Sequence, residues 1–116
     1  MTSTPDVPAP VTRAVVQDVE LAAPLAVARI ETRRITIAPG VAGGRHTHNG
    51  PVVGVVEAGS ATMAVDGGPE TVLVAGDVFY EPGDTVIDRF DAGPDGVTSV
   101  AHFPVPAGVE PELRPL

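Results

Sequence analysis

The chain has 116 residues, 7 basic against 15 acidic for a net charge of −8, and 43% hydrophobic content, which suits one folded domain with one core. The acidic balance repels phosphate backbones and anionic lipid headgroups, so neither nucleic acid nor a membrane is expected as a partner. All seven basic residues are Arg and there is no Cys, which excludes Schiff-base lysines, P-loops, disulfides, thiolate catalysis and sulfur-ligated metals.

In chain order, "MTSTPDVPAP" carries three prolines among small polar residues and reads as a flexible N-terminal arm over residues 1–12. It lacks the basic start and apolar run of a secretion signal, and no later stretch reaches the roughly 20 apolar residues that cross a bilayer. A cytoplasmic protein is therefore expected. From Arg13 onward no helical periodicity is visible. Short runs rich in Val, Ile and Thr read as strands: "RAVVQDV", "AVARIETRRITIA", "PVVGVVEA", "SATMAVD", "ETVLVAG", "DVFYE", "TVIDRF" and "VTSVAHFPV". They are divided by "APGVAGG", "DGGPE", "AGD", "EPGD" and "DAGPDG", where Gly and Pro supply turn geometry. Many short strands with such punctuation predict an all-β barrel or sandwich over residues 13–105. Residues 106–116 read as a C-terminal tail.

The segment "GRHTHNG" holds the clearest chemical signal. In a strand, residues i and i+2 share a face, so His46 and His48 can converge on one ion at about 2.1 Å from each nitrogen. A solvent-facing pair at a strand edge is the alternative.

The surroundings of this pair resemble the first motif of the cupin superfamily. Gly40 stands six residues before His46, and Gly59 holds the position of that motif's closing glycine. Gly76 and Pro82 in "GDVFYEPGD" are similar to the opening of the second motif. The resemblance covers roughly residues 30–105. It implies a double-stranded β-helix, a jelly-roll barrel, with a site in its mouth and a homodimer as the assembly. It also implies a divalent metal (Fe, Mn, Ni or Zn) held by two motif-one histidines, a Glu and a motif-two His.

The sequence departs from that pattern at two ligands. Val52 occupies the Glu position and cannot ligate. The motif-two His falls at Asp88 if "DRF" is aligned with the family's pattern, or at Ile87 by counting from Pro82. A one-residue slip turns every side chain to the other face. With Asp88 inward, His46, His48 and Asp88 form a two-imidazole, one-carboxylate set suited to Fe(II), Mn or Zn; with Asp88 outward it is a solvated acid. His102 is the remaining imidazole and a less favoured substitute ligand, or a packed, hydrogen-bonded strand residue.

Alternation along "DVFYEP" puts Phe79 and Glu81 on one face. A buried Glu needs a positive group or a metal beside it, so Glu81, with His48, is a candidate for acid/base catalysis; at a barrel rim it would only meet water or Arg45. Val52, Gly54, Met63, Phe79 and Phe90 are candidates to line a largely apolar substrate cavity, with core filling as the competing role. A glycine inside a strand often marks room for a ligand. One of Arg33 and Arg34 points inward to hold an anionic group if their strand borders the site.

Three functions follow. The first is a metal-dependent enzyme acting on a small, largely apolar organic molecule by oxygenase, isomerase or cyclase chemistry. The second is a cyclase or isomerase without metal, using His46, His48 and Glu81 as acid/base groups. The third is a binding protein without catalysis that retains the histidine pair.

Overall fold

A computed structural model describes residues 9–116, and among them there are seven strands and no helix. They are β1 (Arg29–Ile37), β2 (His46–His48), β3 (Val52–Val65), β4 (Thr71–Val74), β5 (Val78–Glu81), β6 (Ile87–Val105) and β7 (Leu113–Pro115). Among the described residues, no helix is long and apolar enough to cross a membrane.

β3 and β6 form the spine. They pair antiparallel along their lengths, with register breaks at Val56/Ala58, Gly59/Ala61 and Ala64/Val65. Such bulges bend a strand and increase its twist. They fold the long ribbon over on itself, giving two facing halves. On one half β1 pairs with the end of β6 and β5 with the start of β3. On the other, β4 pairs with the end of β3, and β2, carrying β7 on its far edge, meets β6 at Ile87. One cluster of buried side chains joins both halves, and the Phe79 and Phe90 rings, with centroids 5.1 Å apart, pack against each other between them. This is the double-stranded β-helix expected from the motifs.

Gly59 sits where the ribbon bends. Its φ of 74° lies in the left-handed region, and a Cβ there would meet the Gly96 carbonyl oxygen at 2.0 Å. Only glycine satisfies both the dihedral and the close approach.

The strand boundaries differ from the sequence reading in instructive ways. "PVVGVVEA" and "SATMAVD" merge into β3, and "TVIDRF" and "VTSVAHFPV" into β6, because the turn residues between them bulge without breaking the ladder. "RAVVQDV" forms no strand, since no other strand pairs with it. It runs extended, and the Gln17 side-chain amide donates to the Phe79 carbonyl at 2.8 Å. The segment after Pro106 returns to the barrel: Asn49 donates to the Glu110 carbonyl and accepts from the Glu112 N–H, docking β7 against β2.

Candidate metal centre

His46 and His48 lie on β2 with Thr47 between them, and both are buried, as period-two alternation requires. The glycine-rich turn before β2 does more than enter the strand. The Gly44 carbonyl lies 2.8 Å from His46 Nδ1. A carbonyl can only accept, so Nδ1 carries a hydrogen, and Nε2, the ring's one nitrogen able to offer a lone pair, faces the barrel interior.

The two Nε2 atoms are 3.2 Å apart. Glu81, at the end of β5, brings its carboxylate to them: Oε2 is 2.7 Å from His48 Nε2, and Oε1 is 3.8 Å from His46 Nε2. All three residues are buried, with exposures of 5–6%. Ligands about 2.1 Å from a common ion sit roughly 3.0–3.4 Å from one another in octahedral or tetrahedral geometry. The imidazole nitrogens already have that spacing. Atoms this close need a hydrogen or a metal between them: an Nε2–H of His48 donating to the Glu81 carboxylate, or an ion held by all three. The residues fit a metal, since two neutral imidazoles and one carboxylate are a known donor set for divalent first-row ions.

The strand register explains where the carboxylate comes from. Val52, at the family's Glu position, stands directly across the β3·β5 ladder from Glu81. Paired positions in an antiparallel ladder point to the same face with β-carbons about 4.5–5.5 Å apart. Glu81 therefore presents its carboxylate on the same inward face as Val52. Ile87, fully buried, pairs with His46 and takes the motif-two His position.

Asp88, one residue on, faces the other way. Its Oδ2 accepts from the Gly67 N–H at 2.7 Å, and its Oδ1 lies 3.5 Å from Arg45. The one-residue ambiguity resolves against Asp88 as a ligand, because Ile87 holds the inward face. His102 likewise lies on the outer face of β6, with Nδ1 2.7 Å from Thr32 Oγ1. Among the described residues, the only group of three or more His, Asp or Glu side chains close enough to hold one ion is His46, His48 and Glu81.

A cavity of about 110 Å³ adjoins this cluster. Val52, Phe79 and Phe90 line it, as do Ile37, Phe103 and Ser99. Met63 does not; it borders a separate open groove beside β4 and β5. Gly54 is also absent from the lining. A Cβ on it would lie 2.4 Å from the Phe79 ring and 2.6 Å from the Val100 carbonyl, so the room this glycine leaves is filled by Phe79, not by a ligand. The cavity opens between β1 and β7, where Ile35 and Leu113 line it while remaining partly exposed.

Arg33 stands opposite Ala101 in the β1·β6 ladder and so shares the inward face, whereas Arg34 faces outward and pairs with Glu57. The Arg33 guanidinium lies 4.7 Å from the Phe103 ring centroid, and that ring packs edge-on against His48. Its hydrogen bond to Glu31 holds that carboxyl below the usual carboxylate range. Sequence reasoning missed Ser99, Phe103, Ile35 and Leu113. Phe103 and Ser99 were findable from alternation on β6, where every second residue from Val97 to Val105 is buried. Leu113 was not, because its place depends on β7 pairing with β2.

Comparison with known proteins agrees with this architecture. The family model for the cupin domain matches residues 33–86. No curated protein matches the chain. Among solved structures, it is similar to the DMSP lyase DddQ from Ruegeria pomeroyi DSS-3, at 16% identity and a TM-score of 0.63, covering 72% of this chain and 42% of that one. It is similar to oxalate oxidase in complex with the substrate analogue glycolate, at 23% identity and a TM-score of 0.56, over 64% of this chain and 41% of that one. An RmlC-like cupin from Shewanella frigidimarina NCIMB 400 matches at 26% identity and a TM-score of 0.58, with 68% of each chain covered. The chain thus spans about two fifths of the length of the lyase and the oxidase, which are enzymes with the same barrel. The cupin-domain match and the cupin-like neighbours support assignment to the cupin superfamily, with the candidate ligand carboxylate one strand across from the motif's own position.

Proposed function

We propose that this protein is a small-molecule cupin enzyme that holds a divalent metal through His46, His48 and Glu81 and acts on a small, largely apolar organic substrate. The observation that carries the reading is the convergence of the two Nε2 atoms and the Glu81 carboxylate beside an apolar cavity. The chemistry such an ion supplies is Lewis-acid polarisation of a substrate oxygen or activation of a small reactant, which serves oxygenase, isomerase or cyclase reactions alike.

The chain's own groups do the rest. The Gly44 carbonyl fixes the His46 tautomer so that Nε2 is free to donate its electron pair. Val52, Phe79 and Phe90 exclude water and hold an apolar body against the centre. The Arg33 guanidinium, on the cavity-facing side of β1, offers a positive charge near the mouth.

A second reading has its own support. His48 Nε2 and Glu81 Oε2, 2.7 Å apart, form a buried proton-sharing pair able to act as acid and base without a metal. The barrel would then orient the substrate of a cyclase or isomerase.

Elemental analysis of the purified full-length chain separates the two. Near-stoichiometric Fe, Mn, Ni or Zn, lost when His46 and His48 are both replaced by Ala, supports the metal enzyme. Metal-free protein with turnover that needs Glu81 supports the second reading. Ligand binding unaffected by all three substitutions, without turnover, would leave a binding protein and overturn both.

We further propose a homodimer. The outer edge of β1, which no other described strand pairs, exposed Ile30, and Val15 and Val16 on the extended segment before it offer backbone and apolar surface for a second copy. Light scattering that shows only monomer would contradict this.

A further inference from the structure

We propose that the Ser99 hydroxyl is a ligand-binding group, so that the cavity takes a small apolar molecule bearing an oxygen placed to hydrogen-bond with it. The inference rests on the cavity being a small-molecule site, but it does not require a metal to be bound.

Ser99 is the one polar residue among the inward positions of the second half of β6, between Val97 and Ala101, with Phe103 and Val105 beyond. It is 3% exposed and lines the cavity. Its ladder neighbours are Ile35 on β1 and Val56 on β3, neither of which offers a side-chain partner. The hydroxyls of Thr32 and Thr36 on β1 are engaged on the other face of the ladder, with His102 and Thr98. No side-chain hydrogen bond joins Ser99 to a described residue, and no buried side-chain polar atom among these residues is orphaned, so its hydroxyl is reached from the cavity.

A hydroxyl on an otherwise apolar cavity wall hydrogen-bonds to whatever occupies the cavity, and its place there calls for a reason. Small size alone is no reason, because Ala101, two residues along the same face, supplies it with no polar atom. The cavity has room for several waters or for one small organic molecule, a single water needing only roughly 10–15 Å³. Ser99 thus marks a second polar point on an otherwise apolar wall, apart from the His46, His48 and Glu81 cluster. A ligand that uses both carries one polar atom at the cluster, an apolar body against Phe79 and Phe90, and an oxygen at Ser99.

The test uses phenol and toluene as probes, which share a shape and differ by hydroxyl against methyl. Affinities for the full-length chain are measured by NMR titration, with and without added Zn(II), for the native protein, Ser99→Ala and Ser99→Thr. The expected result is a fall of roughly three- to tenfold in phenol affinity for Ser99→Ala, with toluene unchanged, the loss of about one net hydrogen bond. Ser99→Thr, which keeps the hydroxyl, should retain the native ratio of phenol to toluene affinity. An unchanged phenol affinity in Ser99→Ala, an equal loss for both probes, or no binding of either probe would overturn the proposal. Failure of Zn(II) to bind would instead count against the metal enzyme and leave the Ser99 comparison intact.

Discussion

Replacing Glu81 by Gln removes one negative charge and one metal ligand while keeping the side chain's size. The amide can still hydrogen-bond His48 Nε2 across the native 2.7 Å, so the metal-free fold should lose only about 1 kcal/mol. Metal binding should suffer far more. Losing a partner behind a ligand typically costs about 10–100-fold in affinity, and a direct ligand must cost at least the upper figure. At a metal concentration 100 times the native Kd, binding stabilises the native fold by about 2.7 kcal/mol. A 100-fold weaker site at the same concentration retains only about 0.4 kcal/mol. For a domain of this size, roughly 4 °C of Tm accompanies each kcal/mol. Differential scanning fluorimetry should therefore show metal raising the native Tm by about 10 °C and that of E81Q by about 2 °C. Asp88→Asn and His102→Ala, both altered outside the cluster, should keep the full native shift. An undiminished metal shift in E81Q, or its loss in D88N, would refute the assignment of the third ligand.

Further outcomes follow from the same geometry. Because Val52 and Glu81 pair across the ladder, exchanging them in a V52E/E81V double variant should restore metal binding that E81V alone abolishes, as read by isothermal titration. Val52→Glu alone buries two carboxylates side by side and should lower stability by a few kcal/mol until metal is added. Gly54→Ala drives a methyl into the Phe79 ring and should cost roughly 1–3 kcal/mol in urea denaturation, partly recovered by Phe79→Leu. Metal addition should release protons, since a ligand nitrogen or carboxylate cannot hold a proton and a metal on one electron pair; titrations in buffers of different ionisation enthalpy measure this.

Much of the fold was legible because strand alternation and turn residues are local. The histidine pair could be read as one face of a strand from positions 46 and 48 alone, and Glu81 stood out as an acid on the same face as Phe79. What alternation along one strand cannot express is which strand lies beside which. The place of Glu81 depends on its pairing with Val52, and that of Leu113 on its pairing with His48. The choice between Ile87 and Asp88 turned on a single residue of register, settled by Ile87 meeting His46. "RAVVQDV" has strand composition but lacks a partner strand, and "DAGPDG" has turn composition yet lies within β6. In each instance pairing across the ladder overrode local preference.

The most direct test is an anomalous-scattering map from crystals of the full-length chain grown with Zn(II) or Mn(II). The account predicts one strong peak about 2.0–2.3 Å from Nε2 of His46, Nε2 of His48 and a Glu81 carboxylate oxygen. A peak held by Asp88 or His102, or no peak between the two imidazoles at saturating metal, would contradict it.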